Sequence, residues 1–420
     1  MVVLEASSSA TVGTRRVSMA VAAAGLSSFA LLYAPQPVLP QLASAYGLDP
    51  GTASLAIGVA TAALAVAVLP LAWFAGAVGR RRVIVWSVVL SALIGLLLPL
   101  APSFPVLLGM RAVQGVAIAG FAGVAAAYLA DALGTARLAG AVGAMIAGNS
   151  VGGMLGRLGA GFAAEPLGWH GALAAVAAVS LACALFTATT LPRDPRTAGS
   201  RRAAAPADTG ARAGTGVRVT LVVPVVVGAL GMGAFVALYN AAGFRLAAPP
   251  LSLAPAAASL VFLSYAMGTA SSAAAGRLTA RLGRRTALVT ALAVTTAGSV
   301  LTVSASLPVV VAGFAVLTAG FFAAHAVANA WVTADAPPST RGRAAGLYTL
   351  FYYLGSGAGG TAGAVVYGHA GWTWLIVMTS AWLLLAALIV LLTTRRPTSP
   401  APAAHDARTR TQENQRTPTS

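Results

Sequence analysis

The chain has 420 residues, 58% of them hydrophobic and only 8% charged, with a formal net charge of +17. A soluble domain is about a quarter charged, so this composition excludes an ordinary water-soluble protein and points to a membrane. The sequence has no lysine, and its arginines fall in short clusters between apolar runs; that pattern argues against nucleic acid and for loops on the cytoplasmic side of a bilayer.

A crossing helix needs about 20 apolar residues. Six such runs fill the first half, at roughly 17–40, 52–78, 83–101, 105–130, 137–164 and 171–191, and six fill the second, at roughly 219–246, 256–280, 286–305, 308–334, 344–367 and 373–394. Arg15 and Arg16 precede the first run, which superficially resembles a signal peptide; the run is too long and another follows at once, so it reads as an uncleaved helix. With that end inside, Arg80–Arg82, Arg137, Arg281, Arg284, Arg285, Arg341, Arg343, Arg395 and Arg396 all fall inside, and Arg245 is the outside exception. Residues 192–218 hold six arginines in a Pro-, Gly- and Ser-rich stretch, the composition of a solvated linker. The expected organisation is a cytoplasmic tail over 1–16, a six-helix lobe over 17–191, a cytoplasmic linker over 192–218, a second six-helix lobe over 219–394 and a disordered cytoplasmic tail over 395–420.

The halves repeat. Residues 72–83 match 276–287, Tyr33 matches Tyr239, and Gly168-Trp169 matches Gly371-Trp372, at nearly one offset. Gly148, Gly152, Gly153 and Gly156 in the fifth run recur as Gly355, Gly359, Gly360 and Gly363 in the eleventh. Small residues at four-residue spacing let another helix approach closely; a pliable contact between the halves is the expected use, with plain tight packing the alternative. Gly79-Arg80-Arg81 and Gly283-Arg284-Arg285 each make a short inside turn. Their arginines are expected to anchor to lipid phosphates or to the last carbonyls of a neighbouring helix. The fold class is therefore all-α, twelve transmembrane helices in two six-helix pseudo-repeats.

Ionisable residues inside a bilayer are costly and become functional candidates. Arg111 lies in the outer half of the fourth run, with Gln114 and Gly115 on nearly the same face. Arg157 lies in the outer half of the fifth, either in a cavity or snorkelling outward toward Glu165. His325, in the inner half of the tenth, has a side chain that ordinarily titrates near pH ~6.5 and suits a proton relay or a satisfied structural site. No acid falls at mid-run; Asp131 and Asp335 end the fourth and tenth runs at matching places. Tyr33, Gln36, Asn149, Tyr239, Asn240, Tyr265 and Tyr352 are candidates to line a cavity. The single cysteine, Cys183, excludes a disulfide within the chain, and no metal, cofactor, nucleotide loop or enzyme motif is found. Transport would have to be driven by a gradient.

These motifs resemble the major facilitator superfamily, of the bacterial twelve-span efflux type labelled sugar- or drug-efflux permeases. The family's loop motif G-x-L-x-D-R-x-G-R-R aligns with residues 72–81 and 276–285, with Gly76 and Ala280 in place of its aspartate. Its R-x-x-Q-G motif is Arg111, Gln114 and Gly115. Its antiporter motif G-P-x-x-G-G aligns with Gly148, Asn149, Gly152 and Gly153, with Asn149 in place of proline. The resemblance implies a substrate bound near the midplane between rocking lobes, Arg111 in proton coupling, and export marked by the glycine-rich fifth span. The expected function is proton-coupled efflux of a small organic compound from the cytoplasmic membrane by a monomer. Its partners would be the substrate, protons and lipid. Uptake or facilitated diffusion of a sugar or metabolite, and a non-transporting sensor with the same fold, are the alternatives.

Overall fold

The computed structural model describes residues 2–133, 135–192, 219–337 and 340–393. The linker arginines and the C-terminal tail fall outside the described residues. All regular structure among the described residues is helical.

The first crossing is broken. Helix α1 (Val2–Tyr33) stops where Pro35 and Pro37 remove two backbone donors, a 3-10 turn covers Gln36–Val38, and α2 (Leu39–Tyr46) completes the span. Helices α3 (Pro50–Val78), α4 (Arg80–Leu97) and α5 (Phe104–Leu133) make the next three crossings. Helix α6 (Thr135–Thr190) is long enough for two; it turns at Gly168, whose φ of 61° and ψ of −178° no other residue adopts cheaply. The second half repeats this with α7 (Val219–Ala247), the α8 (Pro255–Ser259) and α9 (Tyr265–Leu282) pair, α10 (Arg284–Leu301), α11 (Leu307–Asp335) and α12 (Arg341–Thr393), which turns at Gly371 with φ 79°. Nine helical segments among the described residues are long and apolar enough to cross a bilayer, and two of these carry the double crossings. The ninth run is the one they omit: Arg284, Arg285 and four threonines make α10 less apolar, yet α10 packs on α11 and α12 as α4 packs on α5 and α6.

Packing follows the repeat. Within each half, α1 lies on the first part of α6 and α7 on the first part of α12. A Cβ at Gly148, Gly152 or Gly156 would overlap the backbone of Ala22, Leu26 or Ala30. One at Gly355 or Gly359 would overlap Ala229 or Gly233, and one at Gly363 would overlap Ala237. These glycines are therefore seams inside each lobe, which corrects the expectation of a contact between halves. The reason is that the nearest backbone available to α6 is α1 of its own lobe.

The lobes meet along other surfaces. Helix α3 runs against α12, where Gly58 faces Gly357 and Thr361, Gly51 faces Val365 and Gly368 faces Pro50. Helix α6 meets α8 where Gly161 faces Ser259. All these contacts lie toward the end that carries Asp49. Toward the other end, which carries Arg80 and Arg284, Gly140 and Gly143 on α6 and Gly276 on α9 have open space around them.

The arginine turns have protein partners. Gly79 and Gly283 take φ values of 103° and 74°, which lets each chain reverse between helices. Arg80 pairs with Asp131 and Arg284 with Asp335. Arg284 also lies over the Trp331 ring, whose indole donates to Asp335. Arg81 donates to the carbonyls of Ala188 and Leu191, and Arg285 to that of Leu391, capping the ends of the sixth and twelfth crossings.

Candidate substrate and coupling site

Two buried guanidiniums sit about the lobe centre, in unlike surroundings. Inserting an arginine at mid-membrane costs ~2.5–3.5 kcal/mol on translocon scales, so each must recover that cost locally.

Arg111 on α5 is fully buried. Its Nε donates to the Ala56 carbonyl at 2.7 Å, Nη2 to Leu32 at 2.7 Å, and Nη1 to Leu31 at 3.2 Å and to Gln114 Oε1. Gln114 passes the chain on to the Ser91 carbonyl at 2.8 Å. The Leu31 carbonyl is the one that Pro35, four residues on, has no N–H to satisfy. Arg111 thus closes the broken end of α1, where the helix dipole also favours a cation. Gly115, one turn on, lets α5 touch the backbone of Ala60.

Arg157 on α6 is 2% exposed and stands between the lobes. It does not snorkel, and Glu165 is not its partner: the side chain turns inward onto the Tyr33 ring, 3.9 Å from the centroid, because the α1 break brings that ring and Gln36 beneath it. Tyr265 and Phe262 lie at 4.6 and 5.4 Å. Its Nε donates to Gln36 Oε1 and its Nη1 to the Gly153 carbonyl at 2.8 Å. Gln36 Nε2 then donates to Asn240 Oδ1 on α7 at 2.7 Å, which carries the chain from one lobe to the other. Gly153 and Gly360 leave room for the Arg157 and Asn240 head groups respectively.

Aromatic rings extend this centre into the second lobe. Tyr265 packs on Phe235 and Phe322, and Phe235 stacks on Phe321 at 4.1 Å. His325 stacks on Phe321 at 6.2 Å and lies tilted to Tyr352 at 4.6 Å, and its Nδ1 shares a hydrogen bond with the Tyr348 hydroxyl at 2.8 Å. Tyr352 joins the hydrophobic cores of both lobes.

The structure therefore brings Tyr33, Gln36, Arg157, Asn240 and Tyr352 to one place, with His325 one ring away. It leaves five candidates outside, Arg111 and Gln114 at the α1 break among them. Tyr239 is buried within the second lobe, its hydroxyl 2.6 Å from Thr318 Oγ1 and its ring behind Tyr265, because α7 is packed in on both sides there. Asn149 lies in the α1–α6 seam against Gly25. Asp131 is exposed in its pair with Arg80, far along the chain direction from the centre. Sequence reasoning did not find Phe262, Phe235, Phe321 or the Gly58–Gly357 crossing; a phenylalanine or glycine in an apolar run carries no polar signal.

The chain matches the Major Facilitator Superfamily over residues 21–249 and again over 230–418. It is 39% identical over 383 residues to the inner membrane transport protein YnfM of Escherichia coli (strain K12), covering 89% of each chain. It is 32% identical over 373 residues to the uncharacterized MFS-type transporter YybF of Bacillus subtilis (strain 168), covering 89% of this chain and 92% of that one. In fold it is similar to a bacterial homolog of the human lysosomal transporter Spinster in an inward-facing, occupied conformation, with a TM-score of 0.76 at 18% identity over 92% and 98% of the two chains. Two matched halves, a two-lobed helical bundle and relatives of this identity over nearly the full length make one conclusion: the chain belongs to the Major Facilitator Superfamily and is a membrane transporter, not an enzyme.

Proposed function

We propose that this transporter exports a small organic compound in exchange for protons, moving it by rocking its lobes about the Arg157–Gln36–Asn240 chain. The observation that carries this reading is that chain, a buried polar link between the lobes whose donors and acceptors stand beside an aromatic box. The close glycine contacts of α3 with α12 and of α6 with α8 lie toward the Asp49 end, while Gly140 and Gly143 on α6 and Gly276 on α9 have open space around them. On the positive-inside rule we assign the arginine end, the 192–218 linker and both termini to the cytoplasm, so that a substrate enters from inside and leaves when the Asp49 end opens.

Arg111 spends its donors on carbonyls and Gln114, so its role is to hold the α1 break rather than to carry the proton. His325 is the titratable side chain within the aromatic stack and is assigned the coupling step. In proteoliposomes, an acidic exterior should accelerate outward flux several-fold, and His325→Gln should remove that acceleration while leaving exchange at equal pH intact. Flux indifferent to the gradient in the wild type would instead establish an uncoupled carrier. That second reading draws on the lack of any carboxylate bonded to either buried arginine among the described residues.

A further inference from the structure

The Arg157 guanidinium has no carboxylate partner among the described residues. The ion pairs among the described residues are Arg80–Asp131 and Arg284–Asp335, both at the arginine end. Arg111 needs no anion, since its nitrogens meet four oxygens. Arg157 has one amide oxygen and one carbonyl of its own helix, and its Nη2 donates to nothing among the described residues. Ring faces at 3.9 and 4.6 Å supply the remaining stabilisation, and cation–π contacts are weaker than a paired charge.

A second donor near it is also unspent. Asn240 is fully buried, its Oδ1 accepts from Gln36, and its Nδ2 has no partner. A buried donor left unmade is costly and demands an explanation. Both groups are donors on buried residues, and they are joined through one glutamine at the surface where the lobes meet.

We infer that Arg157 and Asn240 form an anion subsite, and that the transported compound is a small planar organic anion. Its carboxylate-like or sulfonate-like head takes the free guanidinium edge and the Asn240 amide. Its ring lies among Tyr33, Tyr265, Phe262 and Tyr352. An anion on the site removes the uncompensated charge, and a cation is repelled by it at close range in a medium that screens poorly. This assignment rests on the transport reading given above, with the same residues as its site.

The test uses the full chain in nanodiscs and three ring compounds of like size: 4-toluenesulfonate, 4-toluenesulfonamide and benzyltrimethylammonium. The sulfonate should raise the unfolding temperature and bind at least tenfold more tightly than the amide, with the ammonium weakest. Arg157→Gln should equalise sulfonate and amide, and Arg157→Lys should restore part of the preference. Amide or ammonium binding as tightly as sulfonate in the wild type overturns the assignment, as does a sulfonate preference that survives in Arg157→Gln. The wild-type series needs no variant to fold. Counterflow of the same compounds in proteoliposomes separates the two readings. Exchange of amide or ammonium without sulfonate leaves transport standing and removes the anion subsite. Absence of exchange for every charge class removes both.

Discussion

Arg111 shows how a proline sets the task of a distant side chain. Pro35 leaves the Leu31 carbonyl without an N–H, and the guanidinium supplies one from α5, together with bonds to Leu32 and Ala56. Arg111→Ala would orphan these buried oxygens, each costing about 1–3 kcal/mol when unsatisfied. It should therefore lower the unfolding temperature in detergent markedly, whereas a residue used only for coupling would leave stability unchanged. Asp49 works at the surface by simpler means. It caps α3, accepting from the Thr52 hydroxyl at 2.5 Å and the Thr52 N–H at 3.0 Å. The hydroxyl bond first, then the backbone bond, holds its carboxyl below the usual range. A folded value below the unfolded one means the stabilisation is complete above about pH 4 and is lost as pH falls through the folded value. Asp49→Ala should cost about 1 kcal/mol at neutral pH, with the gap to wild type narrowing as pH falls below the ordinary aspartate value of about 3.9. Asp49→Asn, which keeps an acceptor without a charge, should show little of that pH dependence. Unfolding temperatures of the three proteins across pH decide it.

The α1–α6 and α7–α12 seams were legible as spaced glycines, and their partners were not. Spacing says that one face of α6 admits a close neighbour; it does not say which helix that is. Only the folded lobe shows Gly152 against the Leu26 backbone while Gly143, two and a half turns earlier, faces open space. The two glycines should consequently respond in opposite directions to the same change. Gly152→Ala forces α1 and α6 apart and should destabilise by ~1–3 kcal/mol, the range for overpacking. Gly143→Ala should be neutral or gain up to about 1 kcal/mol from helix propensity. Equal stability of the two variants in thermal unfolding would show that the seam yields. The central site divides in the same way. Tyr33, Gln36, Arg157 and Asn240 were visible because a polar residue in an apolar run is costly. That Arg157 rests on Tyr33 was not visible, because the contact depends on the bend at Pro35, and a proline marks a break without giving its direction.

The two halves share one scaffold to a degree the sequence made plain: the Gly-Arg-Arg turns, the paired acids Asp131 and Asp335, and the breaks at Gly168 and Gly371 all recur. Chemistry is what differs, since Arg111 and Arg157 belong to one lobe and the ring stack around His325 to the other. Such a division suits the proposed exchange, in which one lobe would hold a charge, the other a titratable group, and their relative motion would couple the two. The motion itself can be tested at the closed end. A Cβ built on Gly368 of α12 would stand 3.9 Å from that of Pro50 on α3, within the roughly 3.5–4.5 Å a disulfide spans. Pro50→Cys with Gly368→Cys, in a chain whose Cys183 is replaced by alanine, should therefore cross-link on mild oxidation with little disturbance. If transport requires the Asp49 end to part, the oxidised protein should exchange none of the aryl sulfonate, amide or ammonium compounds that the reduced protein exchanges, and a reducing agent should restore the rate. Each single-cysteine protein should be indifferent to oxidant. Undiminished exchange through fully cross-linked protein would mean that these contacts stay shut throughout the cycle, and the rocking of the lobes about Arg157, Gln36 and Asn240 would have to be abandoned.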